Sequence, residues 1–495
     1  MRSKIVATWV VGHAKGHHTL IRDGELVYDG NRIVHVGKGF EGHVDHTIDA
    51  KGKLVAPGFI DTHVHSGHRA SHRLITDTGR PMYYGQPFLE ISVPKEGKVV
   101  KGDPRYLKHG DAGSEAAFQL NALFTVAELI RNGVTTFIEY GSQRSVQDAL
   151  LAEVTRLGSR AYLAPGYDCG RWVGDAEGRL KRVRNDQLGL DGLDVALKWI
   201  SEHDGSAGGR VKGILVPREV ETSSVELLER TVKAADELKL PMATHAAYSV
   251  IEFYEVVKEY MKTPIELLDH IGMLRPTLNV GHGNLIADNP NLNYSVARDL
   301  ELMGKAGATV SHCPINILRR ARVLDSWKKY QAAGVNMSIG SDTYPRDMMM
   351  NMRMASYLGK VMSHTYLAAT ASEVFRAATV GGAVSVGRED LGRLAPGALA
   401  DIIIVDLTGR NTLRYGPVRD PIKSLVECGV GDDVDTVIVE GKVIMEGGSI
   451  PGVDFAKIRD DAQAAGEQVW ATLQDWDPLG RTQEEACPWC YPMAD

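Results

Sequence analysis

Short runs of β-branched and apolar residues, separated by glycine-containing turns, fill the beginning of the chain. They occupy 5–11, 25–37 and 46–58, and Asp-Gly, Gly-Asn and Gly-Lys pairs interrupt them. Such runs bounded by turn residues are typical of β-strands. The same pattern returns at 400–407 and 434–448. Because the two ends of a chain often lie close together, we expect these segments to pair into one small β-sandwich domain.

The middle of the chain alternates between two periodicities. Val225, Leu228 and Val232 recur at helical spacing, and a strand-like run follows them. Repetition of this alternation predicts several strands that are each preceded by a helix ending at glycine. The strand candidates are 55–65, 134–140, 160–164, 212–216, 241–245, 277–282, 308–312 and 335–342. Strands that alternate with helices indicate a parallel sheet, so the pattern predicts an α/β fold, a (β/α)8 TIM barrel with insertions.

These patterns divide the chain into four segments. They are the N-terminal part of the β-sandwich at 1–55, the barrel at 56–394, the C-terminal part of the β-sandwich at 395–450, and a C-terminal helix and tail at 451–495. A long insertion follows the first barrel strand and contains proline, glycine and aromatic residues. We expect this insertion to cover the catalytic mouth of the barrel.

The composition and net charge of the chain argue against two classes of binding partner, nucleic acids and membranes. The 495 residues carry a formal net charge of −7, from 56 Lys and Arg against 63 Asp and Glu. This mildly acidic balance argues against a nucleic-acid partner, because such binders usually show a basic patch. No segment reaches the roughly 18 apolar residues that span a bilayer, so no membrane partner is expected. The 5 cysteines are too few and too scattered for a disulfide framework, which makes a cytoplasmic location the default.

Histidines concentrate at the ends of the predicted barrel strands, where the functional groups of such barrels lie. The strand-end residues are His63, His65, His245, His282, His312 and Asp342. Side chains alternate along a strand with a period of two, so His63 and His65 share one face and can bind one divalent cation. A lone histidine at a strand end more often packs in a core, and only the combination indicates a metal. With His245 and Asp342, the set suits Zn²⁺ and also accepts Fe²⁺.

Several segments resemble the amidohydrolase superfamily and follow one another in the expected order. The segment PGFIDTHVH (57–65) is similar to the opening signature of the superfamily. The other matching segments are GVTTF (133–137), THAA (244–247), VGHGNLI (280–286), VSHCPIN (310–316), GVNMSIGSDTYP (334–345), LGRLAPGALADIIIVD (391–406) and VIVEGKVI (437–444). The resemblance covers about 1–450 and implies a metal-dependent hydrolase of the cytosine-deaminase and triazine-hydrolase-like branch. Barrels of this type are often dimers or larger, so it also implies a homo-oligomer.

The resemblance implies a role for each matching residue. The residues that match the metal ligands are His63, His65, His245 and Asp342. His282 matches the histidine that orients the substrate or the attacking water. Relatives with two metals carry a bridging, carbamylated lysine at the end of strand four. Here Lys212 precedes that strand and no lysine ends it, so one divalent metal per chain is expected, Zn²⁺ before Fe²⁺.

One position departs from the pattern of the branch. Many of its deaminases have a glutamate proton shuttle three residues after the strand-five histidine, and here that residue is Tyr248. Tyr248 could donate a hydrogen bond to the substrate. Glu252 could reach the substrate from further along, or could lie on a solvated helix face. The departure favours cleavage of an amide or an N-substituted urea over deamination of a pyrimidine, purine or triazine ring. Dechlorination of such a ring and a non-catalytic scaffold are the remaining alternatives.

The expected chemistry is attack by an activated water on a carbon that carries nitrogen. A divalent cation lowers the pKa of a water molecule toward neutrality. Asp342 would accept the proton of that water as general base. His282 would stabilise the oxygen that becomes negative, as in an oxyanion hole. Asp342 or Tyr248 would return a proton to the leaving nitrogen.

Further residues are candidates for substrate binding. His312 could orient the substrate or merely pack behind the seventh strand. Tyr84 and Trp172, with other aromatic residues, could line a pocket for a planar substrate, or pack within a lid. Three arginines, Arg319, Arg320 and Arg322, could bind an anionic group of the substrate, although a solvated charge run is the simpler interpretation.

Overall fold

The computed structural model describes residues 1–66, 73–74, 76–78, 93, 96, 115–408 and 413–494. The strands in chain order are β1 Arg2–Ala14, β2 His17–Asp29, β3 Arg32–Gly37, β4 His46–Pro57, β5 Phe59–Val64, β6 Val134–Glu139, β7 Arg160–Leu163, β8 Gly170–Gly174, β9 Leu180–Arg184, β10 Val211–Gly213, β11 Met242–Ala246, β12 Leu278–His282, β13 Thr309–His312, β14 Asn336–Ile339, β15 Ile402–Asp406, β16 Val434–Val439 and β17 Lys442–Met445.

The helices alternate with the strands through the middle of the chain. They are α1 Glu115–Arg131, α2 Arg144–Leu157, α3 Asp186–His203, α4 Ser206–Gly209, α5 Val225–Leu238, α6 Val250–Tyr260, α7 Pro264–His270, α8 Asp299–Ala306, α9 Pro314–Leu318, α10 Trp327–Ala332, α11 Met348–Met362, α12 Ala371–Arg376, α13 Gly382–Ser385, α14 Pro421–Cys428, α15 Phe455–Ala471, α16 Leu473–Trp476 and α17 Gln483–Ala486. Among the described residues, no helix combines the length and apolar character that crossing a membrane requires.

The two ends of the chain share one seven-stranded sheet, in the order β17-β16-β15-β4-β1-β2-β3. β15 pairs antiparallel with β4, so the expected pairing of the chain ends is confirmed. Two-residue turns suit the twist of such hairpins, and Gly30 with φ 57° closes the β2–β3 turn. One face of the sheet buries Ile5, Leu26, Ile402 and Ile438 completely. Removal of these side chains from water is the main force that holds the two chain ends together.

The eight predicted barrel strands are all present and form two four-stranded parallel sheets. Their orders are β10-β7-β6-β5 and β11-β12-β13-β14. Isolated parallel bridges connect the two sheets at both edges, Leu215 to Met242 and Val64 to Asp342. The strands and their helices therefore bring the C-terminal ends of β5, β11, β12, β13 and β14 to one side of the molecule, where the candidate site lies.

The first predicted strand, 55–65, is in fact two strands in two different sheets. β4 ends at Pro57 and β5 begins at Phe59, with Gly58 between them. A Cβ atom at Gly58 would lie only 2.2 Å from the side chain of Thr135. The chain therefore passes from the seven-stranded sheet into the barrel strands at a point where only glycine fits.

The β8–β9 hairpin is not among the strands that the sequence predicts. The two strands pair antiparallel from Gly170 with Arg184 to Gly174 with Leu180. Asp175 accepts hydrogen bonds from two backbone amides of the turn and pairs with the Arg179 guanidinium at 2.7 Å. This polar turn and its charged strands lack the apolar alternation by which a strand is recognised.

Candidate metal centre

Three imidazoles from two strand ends meet at the C-terminal side of the barrel strands. The Nε2 atoms of His63, His65 and His245 form a triangle with all three sides 3.1 Å. His63 lies within β5, His65 follows that strand directly, and His245 lies in β11. His63 and His245 are 182 positions apart in the chain, and the structure brings them together as predicted.

Asp342 and His282 complete the cluster. The Oδ1 atom of Asp342 lies 3.8 Å from His65 Nε2, and its Oδ2 atom lies 3.6 Å from His282 Nε2. The side-chain amide of Asn316 donates a hydrogen bond to the same Oδ2. The Cys313 thiol also lies close to His282 and Asp342, and sequence reasoning did not assign it a role.

The surrounding backbone fixes the orientation of these side chains. The amide of Asp342 donates to the carbonyl of His63 at 2.7 Å, and the amide of His65 donates to the carbonyl of Asp342 at 2.8 Å. His245 donates from Nδ1 to the carbonyl of Arg218 at 2.7 Å, which leaves its Nε2 lone pair facing the triangle. The His63 ring stacks on Tyr140 with 3.6 Å between ring centroids.

The donor set fits a divalent cation. A tetrahedral zinc ion with Zn–N distances of about 2.0–2.1 Å has its ligand nitrogens about 3.4 Å apart, close to the 3.1 Å seen here. Burial lowers the pKa of His63 and His282 well below the ordinary value, and nearby histidines add to the effect. Burial also raises the pKa of Asp342. His63 and His282 are therefore neutral, which is the protonation state in which an imidazole can bind a metal.

A second polar group adjoins the metal centre, and sequence reasoning missed its carboxylate. The Tyr248 hydroxyl donates to Glu221 Oε1 at 2.6 Å, and the Trp172 indole N–H donates to the same atom at 3.3 Å. Glu221 is 1% exposed, and burial together with the Glu219 charge raises its pKa to about 7. Glu221 follows predicted strand four closely in the sequence, and this position could have indicated a functional role.

Glu252 lies at the N-terminus of α6, where its carboxylate accepts backbone hydrogen bonds. The amides of Ala247 and Tyr248 donate to it at 2.8 and 3.1 Å, and the side chain is buried. Ser249 forms a capping box with it. Burial raises the pKa of Glu252 well above its ordinary value. The alternative of a solvated helix residue is therefore wrong, and its predicted contact with the substrate stays a prediction.

The remaining candidates lie in different surroundings. His312 is buried against Trp327, with 5.9 Å between ring centroids, and burial lowers its pKa to about 3. Trp172 lies on β8 beside Glu221, as described above. Tyr84 lies outside the described residues. The solvated interpretation of the arginines is wrong for Arg320, which is only 9% exposed.

Known proteins are similar to this chain in sequence and in fold. Residues 54–444 match the amidohydrolase family. A 5-methylthioadenosine/S-adenosylhomocysteine deaminase of Thermococcus kodakarensis is 30% identical over 445 residues, which are 86% of this chain and 93% of that protein. A 5'-deoxyadenosine deaminase of Methanothermobacter thermautotrophicus is 29% identical over 454 residues, 91% of this chain and 95% of that protein.

Solved structures agree with the family match. A mutant of atrazine chlorohydrolase TrzN from Arthrobacter aurescens, complexed with zinc and atraton, superposes with a TM-score of 0.77 at 23% identity. The superposition covers 94% of this chain and 100% of that chain. The fold is that of the metal-dependent hydrolases, and the histidine–aspartate cluster is a candidate metal site. The chain belongs to the amidohydrolase family, and the predicted enzyme class, a hydrolase of carbon–nitrogen bonds other than peptide bonds, is confirmed.

Proposed function

We propose that the protein is an aminohydrolase that removes an amino group from a planar amino-heterocycle. The observation that carries the proposal is the 3.1 Å triangle of imidazole nitrogens beside the Asp342 carboxylate. The two curated relatives support a ring substrate, because both are deaminases of the adenosine derivatives in their names. This support outweighs the preference for an amide or a urea, which rested on Tyr248 alone.

One divalent cation per chain completes the site, with Zn²⁺ preferred to Fe²⁺. Its ligands would be His63, His65, His245 and Asp342. The sequence has no lysine at the end of strand four that could bridge a second cation, since Lys212 lies at the beginning of that strand, where it pairs with Asp204 at 3.6 Å. When bound, the cation would acidify a water molecule and so supply the nucleophile.

Asp342 acts as the general base of the reaction. It accepts a proton from the attacking water while the water oxygen bonds to the ring carbon that carries the amino group. The hydrogen bond from Asn316 keeps its carboxylate in position. His282 is neutral and retains one N–H, so it can stabilise the oxygen as negative charge develops. Asp342 then passes its proton to the amino group, which leaves as ammonia.

Tyr248 and Glu221 replace the missing glutamate shuttle. Tyr248 donates a proton to the ring nitrogen next to the attacked carbon, and Glu221 replaces that proton through their 2.6 Å hydrogen bond. Glu221 must be protonated for this step, and its raised pKa favours that form near neutral pH. The second proton of the water returns to Glu221, so the products are ammonia and the ring carbonyl compound. Trp172 and Tyr248 offer flat faces to a planar ring.

The larger architecture is part of the same proposal. The bridges at Leu215 and Val64 support closure of the eight strands into a (β/α)8 barrel. The shared sheet supports a small β-sandwich domain built from 1–55 and 395–450, with a C-terminal helix and tail after it. A cytoplasmic location and assembly into a homo-oligomer stay predictions.

A screen of small substrates tests the function. Purified metal-loaded protein would be given aminopurine nucleosides, aminopyrimidines, linear amides and N-substituted ureas, and released ammonia and amine would be measured separately. We expect ammonia from aminopurine nucleosides, and release about 10²- to 10⁴-fold slower with the Asp342→Asn variant. Turnover of linear amides or ureas alone would overturn the proposal. Chloride release from a chlorotriazine without any deamination would instead favour a chlorohydrolase.

A further inference from the structure

Three arginines, Arg319, Arg320 and Arg322, follow helix α9 and are called the arginine cluster below. The helix itself contacts the metal centre, because Asn316 donates a hydrogen bond to Asp342. The backbone then reverses tightly, with Ala321 at φ 51°. The turn keeps the cluster beside the centre.

Each arginine of the cluster lies near a site residue or near the segment that follows Asp342. Arg322 donates to the carbonyl oxygen of Tyr248. Arg320 is 9% exposed, and the charge of Asp342 acts on it directly. The guanidinium carbon of Arg319 lies 3.9 Å from the ring centroid of Tyr344, two residues beyond Asp342.

A fourth cation strengthens the positive charge at this position. The guanidinium carbon of Arg73 lies 4.2 Å from the same Tyr344 ring centroid. The charge of Arg73 contributes to a lowered pKa of Arg319, after the larger effect of burial. Burial also lowers the pKa of Arg320 and brings that of Arg322 to about 9. Guanidinium groups held together with restricted hydration are stabilised by an anion.

Two carboxylates act on the cluster through their charges, Asp342 on Arg320 and Glu252 on Arg322. Asp342 belongs to the proposed cation site, and Glu252 accepts backbone amides at the start of α6. The Nη1 atom of Arg319 is buried and has no hydrogen-bond partner within the described part of the chain. It is therefore a donor that a ligand can satisfy.

We propose that the arginine cluster is a subsite for an anionic substituent, a carboxylate or a phosphate, on the heterocyclic substrate. The inference that the substrate is a heterocycle rests on the proposed function. The inference that it carries an anionic substituent rests on the arginine cluster alone. Guanidinium groups match the oxygens of both anions with paired, charge-assisted hydrogen bonds. The position of the cluster, between Tyr248 and Tyr344, places the anion at the edge of the reaction site.

Two measurements on the metal-loaded enzyme test the subsite. The first compares kcat and KM for a neutral aminopurine nucleoside, its 5'-monophosphate and its 5'-carboxylate. The second measures binding of inorganic phosphate and of acetate by calorimetry, without turnover. The variants are Arg319→Gln and Arg319→Lys, and the control is Arg459→Gln, because the Arg459 side chain is 73% exposed on α15.

We expect Arg319→Gln to lower kcat/KM for an anionic substrate about tenfold or more, mainly through KM, and to change the neutral substrate less than about twofold. Arg319→Lys would restore part of the loss, and Arg459→Gln would change nothing. The larger loss with phosphate or with carboxylate identifies the natural anion. Equal losses for neutral and anionic substrates, or unchanged phosphate and acetate binding in Arg319→Gln, would overturn the subsite. Anion binding that depends on Arg319 without any deamination would support the subsite and refute the proposed function.

Discussion

His282 Nε2 lies 3.6 Å from Asp342 Oδ2, and both residues adopt left-handed backbone conformations, with φ of 71° and 65°. Residues other than glycine rarely adopt this conformation, and it concentrates at functional sites. Each residue lies at or just beyond a barrel strand end, β12 for His282 and β14 for Asp342. The strained backbone therefore turns two side chains, from strands of one sheet that β13 separates, toward each other.

The Asp342→Asn variant should retain the fold and lose turnover about 10²- to 10⁴-fold. The amide has the same shape as the carboxylate but cannot accept the water proton. Steady-state kinetics with ammonia detection would measure the loss, and circular dichroism would check the fold. The matched control is Asp325→Asn, which removes an ion pair with Lys329 at 2.8 Å that is partly exposed. Near-parental turnover in Asp342→Asn would exclude Asp342 as the base.

The Tyr248→Phe variant removes the hydroxyl that donates to Glu221. We expect kcat to fall about 10²-fold or more, because the proposed proton donor is lost, while KM changes little. Tyr254→Phe is the control, since Tyr254 lies on helix α6, which begins two residues after Tyr248, and its hydroxyl donates to the carbonyl of Leu292. Equal kcat values in the two variants would remove Tyr248 from the mechanism.

Glu221 should determine how kcat depends on pH. Its carboxyl must be protonated to supply Tyr248, and burial with the Glu219 charge raises its pKa to about 7. Protonated Glu221 predominates below that pH, so kcat should decline as pH rises through about 7. Glu221→Gln should be slower and should lack this decline. A pH profile of kcat for the parent and for Glu221→Gln checks the prediction. If kcat of Glu221→Gln declines in the same way, the titrating group is not Glu221.

Because Gly281 has no side chain, the His63 ring has room to pack against it. A Cβ atom there would lie 2.8 Å from His63 Cε1 and 2.9 Å from Tyr140 Cε1. We expect Gly281→Ala to displace the ligand and weaken metal binding about 10- to 100-fold without unfolding the chain. Competition with a chelator would measure the affinity. Gly466→Ala is the control, because its Cβ would make an ordinary 3.5 Å contact with Trp470 in helix α15. Equal metal affinity in the two variants would contradict the claim that Gly281 makes room for His63.

The sequence predicted the parts of the fold that local patterns determine. The eight strands were recognised because each is a short apolar run, and several follow a helix that ends at a glycine with positive φ, such as Gly133 and Gly158. Since parallel strands end on the same side, His63, His65 and His245 could be placed together before any distance was known.

The features that the sequence did not predict depend on contacts between distant segments. Glu221 and Tyr248 are 27 residues apart, and only the fold brings the hydroxyl to the carboxylate. Arg320 belongs to a charged run that would normally be solvated, but the turn after α9 buries it beside Asp342. The break at Gly58 depends on Thr135, which lies in the neighbouring strand β6.

The central claim is that His63, His65, His245 and Asp342 hold one cation. The most direct test is elemental analysis of the purified, dialysed protein beside His65→Asn and the control His203→Asn, whose histidine is only half-buried next to Glu202. We predict about one divalent ion per chain in the parent and in the control, and almost none in His65→Asn. A parent chain that binds no divalent cation even after incubation with zinc or iron, or a His65→Asn variant that keeps its full metal content, would contradict the claim.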